Sequence, residues 1–269
     1  MLTNLFYYSF IQNAVIVGML VAVMAPVIGQ YLVVRRFSAL ADTLAHVSLV
    51  GIVSSLLLKT NPILSALVTT IIASIGIEFL GQKGKGYRES ILTLFLTGSL
   101  GLSSILISLG RGFNTSIYSY LFGSINSISI SDIWIVLVVF VLVLSTVFWQ
   151  RKQLFIVSLD SEIAQSQGIS TRLNNTLIMV LASLVISVGI QAVGVLLISS
   201  LMILPVLSSM LLKRGFYQTM ICSVVFAVLS VWAGVFVSFY LGIATSGTIV
   251  MVNILIYTVS YIIPKNSLS

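Results

Sequence analysis

The sequence predicts an all-α polytopic membrane protein with about nine transmembrane helices, and three observations predict it. Of the 269 residues, 58% are hydrophobic and only 7% are charged, whereas soluble domains carry roughly 25% charged residues. Mean hydropathy is +1.17, so water is not the solvent of this chain. Apolar runs of about 20 residues follow one another almost without interruption, each long enough to cross roughly 30 Å of hydrocarbon. The runs are continuous and do not alternate with period two, which selects helices over a β-barrel.

The expected spans are 10–33, 39–58, 62–80, 91–109, 132–149, 174–190, 194–212, 217–240 and 246–263. The first lacks a basic leader and its apolar stretch is too long for a signal core, so it reads as a span. Residues 81–90, "GQKGKGYRES", form a turn between spans; Gly86 is followed by Tyr87 and Arg88, which fails the phosphate-loop pattern. Residues 111–130, "RGFNTSIYSYLFGSINSISI", are too polar to span and too aromatic for a plain linker. They are expected outside, partly re-entering as a lid or gate. Residues 158–175, "SLDSEIAQSQGISTRLNN", read as a short cytoplasmic helix, with Ser158 or Asp160 as N-cap and Gly168 as its stop. The apolar stretch 174–212 is too long for one straight span and is split at "GIQAVG", 189–194, with a kink expected at Pro205. In the eight-span alternative, the second half of that stretch dips in as a re-entrant helix and the C-terminus lies outside. Either way the chain is one domain, 1–269, containing a cytoplasmic loop at 158–172.

Charge supports the nine-span form. With the N-terminus outside, Arg35, Arg36, Lys83, Lys85, Arg88, Arg151, Lys152, Arg172, Lys213, Arg214 and Lys265 fall inside, and only Lys59 and Arg111 fall outside. The net charge of +7 therefore reports orientation. No basic run is long or interleaved with aromatics, which argues against nucleic acid as a partner. Cys222, the single cysteine, reads as a buried, inert thiol, and scattered methionines such as Met202 and Met210 as core filler.

The second span carries Asp42 and His46, the latter the only histidine of the chain. An acid at the centre of a membrane helix costs about 2.5–3.5 kcal/mol, and such residues there mark function. The i, i+4 spacing puts both on one helix face. Carboxylate and imidazole together are a transition-metal donor set, and two such helices across a twofold axis would supply an O2N2 site. The same spacing also fits an Asp–His hydrogen bond that pins two helices, or an Asp42 bonded to Arg35 or Arg36. Glu78, near the inner end of the third span, reads as a snorkelling acid. No HExxH occurs and no nucleophile stands beside a base, so an intramembrane enzyme is disfavoured. A proton-coupled secondary transporter using Asp42 and His46 remains the alternative class; it leaves the polar inner helix unexplained.

Three segments carry a resemblance: "LADTLAHVSLVGI" after "VVRR", "SYLFGSI" at 119–125 and "LDSEIAQSQGIS" at 159–170. In order and spacing they resemble the permease subunits of bacterial ABC importers for zinc and manganese, over essentially the whole chain. Asp-Thr-Leu-Ala-His is more similar to the zinc branch. The resemblance implies a multi-pass subunit of the plasma membrane, non-catalytic and without a resident cofactor, that passes Zn2+, or alternatively Mn2+ or Fe2+, inward. It implies a homodimer, a cytoplasmic ATP-binding cassette ATPase that hydrolyses the ATP, and an extracytoplasmic metal-binding protein. Asp42 and His46 match the family's metal-contacting residues. Glu162, Ala164 and Gly168 match its "EAAxxxG" ATPase-docking loop, with Ile163 in place of the first alanine and Asp160 at the cap. Tyr120, Leu121, Phe122 and Gly123 are the candidate outer gate.

Overall fold

The computed structural model describes residues 9–82, 87–110, 120, 121, 123 and 130–262. All regular structure among them is helical, in the order α1 (Ser9–Val34), α2 (Ser38–Leu58), α3 (Pro62–Gln82), α4 (Arg88–Leu109), α5 (Ile130–Leu159), α6 (Ser161–Ser166), α7 (Thr171–Val193), α8 (Val195–Met210), α9 (Phe216–Leu241) and α10 (Thr245–Ile262). In lipid a backbone must satisfy its own hydrogen bonds, and helices do so within one segment. Local chemistry sets where they begin. Asn61 accepts hydrogen bonds from the backbone N–H groups of Ile63 and Leu64, 2.9 and 3.3 Å, with Pro62 at the first helical position of α3. At the start of α7, Ser170 Oγ accepts from Leu173 N.

Among the described residues eight helices are long and apolar enough to cross a membrane, α1 to α5, α7, α9 and α10, and α8 is a shorter apolar helix. The expected count of about nine thus divides into eight helices of spanning length and one of 16 residues, about 24 Å long. The break falls at Gly194, whose φ of 89° and ψ of 159° lie in a region essentially reserved for glycine. There the chain folds back. A Cβ on Gly189 would collide with the Ile198 side chain, although an unbroken helix would set these two residues about 13 Å apart. Phe216, opening α9, meets Tyr31 near the end of α1 and Phe155 near the end of α5, with centroids 5.4 and 5.0 Å apart. The short helix therefore returns to the end where α7 began, and the alternation of the nine-span reading is kept. Helix α5 runs ten residues past the predicted limit at 149; there it carries Arg151 and Lys152, both exposed.

The bundle has a core and a rim. Of the apolar windows, 72% of α1 and 67% of α2 and α7 are buried, against 17% of α4 and 28% of α5, α9 and α10. In core and rim alike, helices approach closely through small residues, the usual membrane solution where lipid competes equally for apolar surface. Gly29 lies against the backbone of Met202, Gly51 against Ser65 and Ala66, and Gly234 against Ile249. Polar side chains cross between helices at few points. Thr70 and Ser187 hydroxyls meet at 2.7 Å between α3 and α7, and Ser230 Oγ donates to Asn253 Oδ1 at 2.6 Å between α9 and α10.

Candidate functional site

Helix α2 is enclosed on most of its circumference, with twelve buried residues from Leu40 to Ser55. One stripe stays open. Asp42 is exposed and His46 half-buried on it, followed one turn on by half-buried Val50. With α2 packed against α3, α4, α7 and α8, this stripe is the least covered part of the helix's middle among the described residues. His46 Nδ1 is buried without a hydrogen-bond partner. The pair thus does not pin α2 to a neighbouring helix. Nor does Asp42 bond to Arg35, whose partners lie elsewhere: Nε donates to Ser158 Oγ at 3.1 Å and Nη1 to Asn175 Oδ1 at 2.6 Å. Among the described residues no group of three or more His, Cys, Asp or Glu gathers as a metal site. One chain contributes two donors.

The second site is α6. Asp160 is its N-cap, with Oδ1 accepting from Glu162 N at 2.8 Å and Ile163 N at 3.2 Å. Ser158, the other candidate cap, is buried and donates to Leu154 O at 2.6 Å instead. Glu162 occupies the first turn, where the helix dipole favours an acid. At the other end Ile169 N bonds to Ala164 O and Gly168 N to Gln165 O, both at 3.0 Å, the paired bonds of a Schellman motif. Gly168 supplies the left-handed residue this stop requires, φ +75°. Ala164 is fully buried, and Glu162 and Ile163 are exposed. Each position of the sequence pattern therefore serves a physical purpose, as cap, dipole partner, buried small residue or stop.

At the outer segment, Tyr120 and Leu121 pack against the core cluster. Gly123, at φ +74°, lies so close to the α7–α8 break that a Cβ would stand 2.8 Å from the Val193 carbonyl. Phe122 lies outside the described residues.

Sequence reasoning missed the wiring between the first two sites. Arg35 reads in sequence as one more inner cation; in the structure it ties the α1–α2 turn to the end of α5 and the start of α7, the two flanks of α6. Glu78 corrects the snorkelling expectation, being 3% exposed. Its carboxylate acts electrostatically on Arg35, whose pKa burial holds down at about 10 despite that carboxylate. These groups border a cleft of about 730 Å³ between the α1–α2 turn, the start of α4 and α6. Only a pairing across 43 positions links Arg35 to Glu78, and no local pattern signals it.

A bundle with eight helices of spanning length among the described residues, with a lone donor pair on an open stripe of α2 and a short capped helix between α5 and α7, has the architecture of a multi-pass membrane protein. The chain belongs to the ABC 3 transport family, which matches residues 7–264; its members are the non-catalytic permease components of metal ABC importers. A probable metal transport system membrane protein of Treponema pallidum is 32% identical over 249 residues, 93% of each chain. Relatives named for manganese and for zinc both occur. The manganese transport system membrane protein MntC of Listeria monocytogenes is 27% identical, covering 99% of this chain and 95% of its own. The high-affinity zinc uptake system membrane protein ZnuB of Buchnera aphidicola is also 27% identical, covering 95% and 98%. The solved structure of PsaBC from Streptococcus pneumoniae in complex with Fab matches with a TM-score of 0.87 at 26% identity, over 98% of this chain and 95% of that one.

Proposed function

We propose that this chain is the conduit of an ATP-driven importer and that Asp42 and His46 are half of a transit site for Zn2+, completed by the same pair from a second copy. The carrying observation is the open stripe on α2: an exposed carboxylate and a half-buried imidazole, whose Nδ1 has no hydrogen-bond partner, share one face of a helix otherwise largely enclosed. Two copies across a twofold axis bring two carboxylates and two imidazoles together, a set suited to tetrahedral zinc. Such a site releases its cargo readily, since separating the copies halves the coordination. Zinc is also held above manganese by any site of this type. The relatives named for manganese make Mn2+ the second cargo to test.

An ABC ATPase docks on α6 through Glu162, Ile163 and the turn at Gly168. Motion of α6 reaches α2 through Arg35, which holds both flanks of α6 and stands seven residues before Asp42. Tyr120, Leu121 and Gly123 close the outer side near the Gly194 break, beneath an external metal-binding protein that delivers the ion. The test is radiolabelled Zn2+ and Mn2+ uptake in cells lacking their own importers, with the ATPase and binding protein co-expressed. Zinc uptake that requires both ATP and His46 supports conduit and site together. Manganese uptake alone keeps the conduit and replaces the cargo, and uptake without the ATPase overturns the importer reading.

A further inference from the structure

The cleft beside α6 has a composition that metal passage does not explain. Four arginines line it, Arg35, Arg36, Arg88 and Arg172, against two carboxylates, Glu78 and Glu162. The excess is positive, so the cleft repels a divalent cation. Every cation on its described lining is arginine, although lysines occur among the other inner residues of the chain. The guanidinium fork matches phosphate oxygens in pairs, which an ammonium does not. Arg88 lies over the Phe37 ring at 4.8 Å. The backbone at Arg36 is set in a left-handed turn, φ 60°, by the bonds Arg36 N to Val33 O and Phe37 N to Leu32 O, 3.0 and 2.8 Å. Arg35 also lines the cleft; its hydrogen bonds go to the neutral Ser158 and Asn175, its Nη2 is buried without one, and the Glu78 carboxylate acts on it electrostatically.

We propose that this cleft binds a phosphate-type anion between the α1–α2 turn and α6. Its position at the inner ends of the spans places it at the depth of the lipid headgroups, in the leaflet that carries acidic phospholipid. A phosphate there would bridge Arg36 and Arg88, which belong to the metal-bearing side of the bundle, to Arg172 beside the docking helix. The bound anion would then set how firmly α6 is held to α2. The site itself stands on the cleft alone and does not depend on the identity of the cargo.

The test uses the full-length permease in detergent, wild type beside the double substitution Arg36→Gln with Arg172→Gln. Arg36 and Arg172 are both exposed, so the bundle is expected to fold without them. Native mass spectrometry reads retained phosphatidylglycerol, and thermal shift reads inorganic phosphate and pyrophosphate added to delipidated protein. Loss of a charge-assisted contact at each arginine should lower retention by about tenfold per residue. Phosphatidylglycerol retained by wild type and lost in the variant assigns the site to a lipid headgroup; a variant-sensitive shift with phosphate or pyrophosphate alone assigns it to a free anion. Equal behaviour of wild type and variant in both arms overturns the proposal. So does a variant that binds anions normally but copurifies less ATPase, since the cleft would then be a protein interface. Gly168→Ala is run in parallel: its effect on ATPase copurification reports on the docking of α6 without touching the arginines.

Discussion

Asp42 and His46 differ from the buried polar residues of α2 in lying on its open stripe, Asp42 exposed and His46 half-buried. Thr43, Ser48 and Ser55, on the buried faces, return their hydroxyls to carbonyls of the same helix at 2.9, 2.6 and 2.6 Å. Removal of either donor should therefore leave the fold alone. Asp42→Ala and His46→Ala are expected to abolish metal uptake while ATPase copurification and thermal stability stay at wild-type values. Loss of stability in step with uptake would return the pair to a structural role. Gly168 makes the opposite prediction. Open space surrounds the position of its missing Cβ, so Gly168→Ala costs only the left-handed backbone, about 1–2 kcal/mol. That is enough to unfasten a six-residue helix, and ATPase copurification should fall with no change in the transmembrane bundle. Lys213 also sits left-handed, at φ 53°, and exposed. Lys213→Gly should raise the melting temperature by a few degrees, since the relieved strain is about 1 kcal/mol.

At the scale of elements, most of the bundle was legible because spans are set by length and apolarity, which sequence shows directly. The predicted boundary of α2 at 39–58 lies within a residue of Ser38–Leu58, and α6 was readable from its acid and its glycine. Other parts were not. The overrun of α5 past residue 149 was hidden by the charged pair Arg151 and Lys152, beyond which Leu154 and Val157 are again buried in the bundle. The turn at Gly194 was legible as a break, but whether α8 continues or folds back depends on α1 and α10 packing against it. The open stripe of α2 is likewise invisible in sequence: Asp42 and His46 have the right spacing, yet spacing does not tell a buried face from an unpartnered one. Between elements, hydrogen bonds contribute little. The Ser230–Asn253 bond joins α9 to α10, but such bonds in membranes average about 0.6 kcal/mol. Asn253→Ala should therefore lower stability only slightly and leave transport unchanged, whereas Gly234→Leu, which drives a side chain into the Ile249 backbone, should prevent folding or expression.

For the whole molecule, orientation is the property that ties the sites together. Arg35, Arg36, Arg88, Glu162 and Arg172 share one cleft, so the α1–α2 turn, the start of α4 and α6 lie at one end of the bundle. The return of α8 places the end of α10 there as well. Single cysteines at Glu162 and at Ile262 in a Cys222→Ser background should react from the cytoplasmic face only, and a cysteine at Lys59 from the opposite face only; labelling of positions 59 and 162 from the same side would contradict this packing. Assembly adds a final consequence. Helix α6 has both ends closed by its own residues, Asp160 at one and the Gly168 turn at the other, so its shape exists before any ATPase arrives. A partner meeting a finished surface has no chain to order on contact, and little affinity is lost to entropy. Subunit joining should then proceed as a simple encounter, with a rate that follows ATPase concentration and shows no slow folding step.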